Sequence, residues 1–137
     1  MTQDKQTAFR LDKVIVVESH IKQRPIESGE FSLNIVPSGV LNKTKSIFTL
    51  SLKVNVKDEN GSFDANVTLE GIFIFKQDDD ELNLSNYFYV NAPAIIFPYV
   101  RSYIAALTSL SGIKTVNIPV IRFDCAEELK LHTTIVE

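Results

Sequence analysis

Only one cysteine, Cys125, occurs in the 137-residue chain, so no disulfide can form within it. No run of apolar residues reaches the length of a membrane span, and no membrane insertion is expected. The first residues, MTQDKQTAFR, lack the basic start and apolar middle of a signal peptide. Together these absences lead to the cytoplasm as the expected compartment. Positive charge is not in excess: 14 Lys and Arg stand against 17 Asp and Glu, a formal net charge of −3. That balance argues against nucleic acid as a partner, because phosphate binding rests on clustered cations.

The usual signatures of catalysis are also missing. There is no G-x-S-x-G elbow and no Gly-rich phosphate loop. His20 and His132 stand far apart, and neither has Cys or carboxylates at metal-ligand spacing. Cys125 has no flanking basic residue to activate it. The chain is therefore expected to be no enzyme, with no catalytic residue, metal or cofactor.

What is there begins with strands. In residues 46–57, SIFTLSLKVNVK, Leu50, Leu52, Val54 and Val56 alternate with polar residues. A period of two places them on one face of a sheet. The turn DENG follows, in which Asn60 and Gly61 can take the positive φ of a tight hairpin. The return run, SFDANVTLEGIFIF, alternates again through Phe63, Ala65, Val67 and Leu69, and the two runs pair as an antiparallel hairpin. From Ile72 to Phe75 the strand is apolar on both faces, so both sides need cover: a helix on one, a second subunit on the other. Gly71, just before, marks a bulge or a close backbone approach. Two earlier runs, KVIVVESHI and FSLNIV, read as strands, joined by KQRPIESGE, which is longer than a tight hairpin needs.

The second half differs. KQDDDE is a charged loop, in which Asp78, Asp79, Asp80 and Glu81 read either as a solvated loop or as an acidic docking patch. LNLSNYFYV fits a short helix or an aromatic connector. Then NAPAIIFPYVRSYIAALTSLSG carries one charge, Arg101, in 22 residues. Asn91 is an N-cap candidate with Pro93 in the first turn, and Pro98 calls for a kink or a loose first turn. Ile96, Tyr99, Val100, Tyr103, Ile104 and Leu107 form a broad apolar stripe, and Gly112 suits the position that ends the helix. IKTVNIPVIRF reads as extended, broken by Pro119, and CAEELKLHTTIVE as a short helix or frayed coil. Residues 1–8 and 126–137 are expected to be flexible or weakly ordered at the ends of a single domain.

The segment APAIIFPYVRSYIAALTS resembles the central helix of the SecB family of bacterial protein-export chaperones. Pro93, Ile96, Phe97, Pro98, Tyr99 and Arg101 match that family's C-P-N-I-L-F-P-Y-A-R pattern. EGIFIF, with Gly71, Ile72 and Phe73, is similar to its G-G-I-F, and VNIPVIRFD, with Asn117, Pro119, Phe123 and Asp124, to its L-N-L-x-P-V-x-F-D. The chain departs in having Glu70 before Gly71 and Ile-Lys-Thr after Gly112, and in a tail without a long acidic end.

The resemblance implies an α+β fold, a four-stranded antiparallel sheet followed by helices packed on one face. It also implies a homo-oligomer built as a dimer of dimers, acting as an ATP-independent holdase. Unfolded preproteins would lie in apolar grooves and pass to the SecA motor. The client-lining residues expected are Ile26, Tyr87, Phe88 and Phe97; those of the oligomer interface are Ile72, Ile74, Val100, Tyr103, Ile104 and Leu107. Three alternatives stay open: a SecB-like chaperone of a toxin–antitoxin system with an antitoxin client, a non-catalytic oligomerisation module, and a hotdog-type thioesterase. In the last of these the long helix precedes most strands.

Overall fold

The computed structural model describes residues 9–24, 30–76, 81–112, 115–118 and 125–136, with backbone alone for 81–88. In chain order the elements are β1 (Phe9–Gln23), β2 (Phe31–Asn42), β3 (Ile47–Asp58), β4 (Phe63–Phe75), α1 (Glu81–Leu110), α2 (Ala126–Leu131) and β5 (Thr133–Val136). The sheet order is β1-β4-β3-β2-β5. Its first four strands pair antiparallel, and β5 runs parallel to β2. The expected class, α+β with the long helix after four strands, is what the structure has. The expected strand count is corrected: among the described residues the sheet has five strands and is mixed. The fifth comes from the run TTIV, whose branched residues favour extended backbone and which follows α2 directly onto the edge of β2. Of the two readings of the tail, a short helix or frayed coil, residues 126–131 form the short helix, and a strand follows it.

Alternation decides the facing of the central strands. Phe48, Leu50, Leu52, Val54 and Val56 of β3 are all buried, as are Phe63, Ala65, Val67, Leu69, Phe73 and Phe75 of β4. Register pairs them in rows: Leu52 with Leu69, Val54 with Val67, Val56 with Ala65. Each fully buried aliphatic side chain contributes roughly 1.5–3 kcal/mol by leaving water, so this double row dominates the core. The intervening residues, Lys53, Asn55 and Lys57 among them, lie on the other face.

The hairpin between β3 and β4 closes with Gly61 at φ +72°, its N–H donating to the Asp58 carbonyl at 3.1 Å. Only Gly61 of the Asn-Gly pair takes positive φ. The Asp58 carboxylate accepts from the Asn60 N–H at 2.7 Å and from the Ser62 hydroxyl, which accounts for a buried charge at the turn. β1 and β2 are not neighbours; β4 and β3 lie between them, which explains why no tight hairpin joins them.

In β2 the Gly39 N–H donates outward, to His132 O at 3.2 Å. Pro37 has the same parity in an antiparallel ladder, so its missing N–H faces away from β3 and no bond to β3 is lost.

α1 begins ten residues before Asn91 and runs through both Pro93 and Pro98. The expected start at Asn91 is therefore corrected, and LNLSNYFYV belongs to the same helix. Tertiary packing outweighs the two prolines: Ala92, Ile96, Val100 and Ile104 are fully buried against the sheet. The helix ends at Leu110 as expected, with Gly112 at φ +81°. Gly71 is a close approach and not a bulge. A Cβ built there would lie 2.4 Å from Ile96 Cδ1, and the register shifts fall in β1 instead, at Leu11/Lys13 and Val16/Glu18. Buried Thr108 donates its hydroxyl to Ile104 O at 2.9 Å and accepts from the Val116 N–H at 2.9 Å, tying residues 115–118 to the helix.

Candidate binding groove

α1 leaves part of β1 uncovered. Its last turns are fastened to β1 by polar contacts: the Tyr103 hydroxyl donates to Ser19 Oγ at 3.0 Å, and Gln23 Nε2 donates to Ser111 O at 3.0 Å. Beside these contacts lies an open groove of about 610 Å³, bounded by Leu11, Val14 and Val16 of β1, Leu69 of β4, and Tyr99 and Tyr103 of α1. Asp12, Lys13 and Ser102 complete its wall. β1 pairs only with β4, so the edge along this groove faces no strand among the described residues.

The outward side of α1 continues the groove as an uncharged surface. Val90 is 62% exposed, Tyr99 48% and Leu110 87%, and Ala94, Ile95, Pro98, Ser102, Ala106 and Ser109 lie among them. This is the apolar surplus of residues 91–112, and its position is now clear: one side of the helix fills the core and the opposite side stays in water. An uncharged, largely apolar exposed side of this kind on a small domain suits a contact surface.

The residues expected at the site fall in several places. Ile26, Asp78, Asp79 and Asp80 lie outside the described residues, and Tyr87, Phe88 and Glu81 lie on the part of α1 described by backbone alone. Phe97 is 4% exposed, and Val100 and Ile104 have no exposed area, so all three are core of the single subunit. Spacing along a helix could not separate them from surface residues, because both sides of α1 are apolar. Ile72 and Ile74 are half-buried on the face of the sheet opposite α1, and Tyr103 and Leu107 are half-buried on α1. Of those whose side chains are described, Tyr103 alone is among the described residues that line the groove.

Reasoning from sequence missed Leu11, Val14, Val16 and Tyr99 as groove residues. The run VIVV at residues 14–17 carried the signal: like residues 72–75 it is apolar on both faces, and Ile15, Val16 and Val17 are all substantially exposed. Among the described residues no group of three or more His, Cys, Asp or Glu could hold a metal ion. Among the described residues no helix is long and apolar enough to cross a membrane.

Comparison with known proteins places this arrangement. The family model described as "Preprotein translocase subunit SecB" matches residues 19–128. The protein-export protein SecB of Buchnera aphidicola (subsp. Acyrthosiphon pisum, strain Tuc7) is 30% identical over 130 residues, covering 88% of this chain and 90% of that protein. The SecB of Anaplasma phagocytophilum (strain HZ) is 26% identical over 91 residues, which cover 63% of this chain and 58% of that protein. Among solved structures, the Mycobacterium tuberculosis Rv1957 SecB-like chaperone, in complex with a ChAD peptide from the Rv1956 HigA1 antitoxin, has the same fold. Its TM-score is 0.73 at 12% identity, over 88% of this chain and 92% of that one. The helix pattern, the strand order and these likenesses agree, and the chain belongs to the SecB family.

Proposed function

We propose that the protein is an ATP-independent chaperone that holds unfolded polypeptide on its apolar groove, and that it is not an enzyme. The observation that carries this reading is the uncharged exposed side of α1 running beside the uncovered edge of β1. A non-native chain offers scattered apolar side chains and unpaired main-chain groups. The groove offers aliphatic and tyrosine surface, and the edge offers N–H and C=O groups. No single contact need be strong, so binding is reversible and tolerant of sequence. The same surface serves self-association: the expected state is a dimer of dimers, in which part of the exposed side of α1 is covered by other copies. Export-competent preproteins are the clients that family membership favours, with the SecA motor as the expected acceptor and the cytoplasm as the compartment. An antitoxin segment, such as the one held by the M. tuberculosis protein, is the second client reading, and it draws on the same groove.

The test is suppression of aggregation. A chemically unfolded protein is diluted into buffer with and without the chaperone, in the absence of nucleotide, and light scattering is followed. Protection at stoichiometric amounts is expected. No protection across several unfolded proteins would overturn the reading.

A further inference from the structure

The outer edge of β2 already holds an extended segment. Over residues 39–42 it pairs parallel with β5, Gly39 opposite Thr133 and Leu41 opposite Ile135. The seat is shaped for such a segment: a Cβ at Gly39 would lie 3.0 Å from the Phe48 ring and 3.2 Å from Thr133 Oγ1, so a side chain there would crowd both, and glycine eases the close approach of the fifth strand. Yet β5 adds little to the core. Ile135 is 50% exposed and Val136 41%. Its anchor is separate: Leu129 of α2 is fully buried, and Thr133 Oγ1 donates to Leu129 O at 2.6 Å, at the junction of helix and strand. β5 can therefore leave while α2 stays.

The same edge continues past β5. β2 has 12 residues, and residues 31–38 face no further strand among the described residues. By parity with Gly39, Phe31, Leu33 and Ile35 point their main-chain groups outward, and Phe31 is 43% exposed. Pro37 divides the edge into this open part and the part that β5 covers.

We propose that the outer edge of β2 is a strand-accepting site for extended client polypeptide, and that β5 is its built-in occupant, displaced when a client binds. The inference rests on the holdase reading and goes beyond the groove. The segment that fits is extended, parallel to β2 and rich in branched residues, as TTIV is. It has a small side chain where Thr133 meets Gly39 and an aliphatic one where Ile135 meets Leu41. β5 lowers client affinity by keeping residues 39–42 of the edge filled in most molecules, and it keeps that part from pairing with other chains when no client is present.

The experiment frees β5 with the rest of the chain left in place. Thr134 is exposed, and alternation between His132 and Val136 points its N–H at β2, so Thr134→Pro removes a ladder donor without touching the core. A second variant lacks residues 133–137. The probe is reduced, carboxymethylated lactalbumin carrying a fluorophore, followed by anisotropy, with hydrogen exchange at Gly39 reporting release of β5. Both variants are expected to bind about tenfold more tightly than the parent, as they would if the edge is open in about a tenth of parent molecules. The free peptide HTTIVE should compete with the probe on both. If the parent binds the probe and neither variant binds it more tightly, the edge proposal is overturned and the holdase reading stands. If neither the parent nor either variant binds, both are overturned.

Discussion

Gly71→Ala tests the packing that holds α1 over the sheet. Gly71 lacks positive φ, so its reason for being glycine is space and not backbone conformation. An added Cβ would lie 2.4 Å from Ile96 Cδ1, 2.8 Å from Ile96 Cγ1 and 3.3 Å from the Phe73 ring. Ile96 and Phe73 are both fully buried, so neither can turn into open space. Forcing a methyl into a filled core costs about 1–3 kcal/mol. Replacing glycine also reduces the freedom of the unfolded chain, which returns roughly 0.4–1 kcal/mol. The net expectation is a loss of about 1–2 kcal/mol, or roughly 5 °C in Tm for a chain of this length. Ile96→Val removes the nearest atom, Cδ1, and alone costs about 0.5–1.5 kcal/mol. In the double variant the two losses should fall short of their sum by about 1 kcal/mol, because the second change makes room for the first. Guanidinium and thermal unfolding at one fixed protein concentration measure all three, because Tm depends on concentration in any protein that self-associates. A neutral Gly71→Ala, or a double variant whose losses simply add, would refute the idea that Gly71 admits the helix.

Other substitutions separate core from surface. Ile104→Asp places an unpaired charge where nothing is exposed and should unfold the subunit, a loss of several kcal/mol seen by circular dichroism, whereas Ser102→Asp on the exposed side should leave the fold intact. Thr108→Val leaves the Val116 N–H without its acceptor and should cost about 1–3 kcal/mol in denaturant unfolding. Tyr99→Ser, at a position 48% exposed, should lower protection of an unfolded client in light scattering while changing Tm little. In hydrogen exchange the amides of β3 and β4 should be slowest, and those of β5 among the fastest in the sheet.

The parts of this fold that were legible in the sequence are those governed by a single period. Leu50, Leu52, Val54 and Val56 alternate because one face of β3 is buried and the other is wet, and the structure places them on one face. The hairpin turn was legible because a positive φ at Gly61 has few chemical solutions. The start of α1 was not, since Pro93 and Pro98 are local signals for a boundary, and the helix passes through them on the strength of contacts with strands distant in sequence. β5 was missed for a similar reason. Four residues of TTIV become a strand only because α2 delivers them to the free edge of β2, and nothing local records that edge.

The site was legible as a surplus and not as an address. Residues 91–112 are too apolar for one buried stripe, which gave the conclusion that a second surface exists. Assigning residues to the two surfaces needed the angle at which α1 meets the sheet. That angle buries Phe97, Val100 and Ile104 and exposes Tyr99 and Ile95, although all five are apolar or aromatic and closely spaced. The groove has a second wall on β1, more than 80 residues earlier in the chain, and the contact from Tyr103 to Ser19 that brings the two together cannot be read from either segment alone. A surface that must accept many unfolded sequences has no fixed set of polar groups to announce it. Its signature in one sequence is an excess of apolar residues on an element that is already buried on one side, and only the packing of the chain shows where that excess faces.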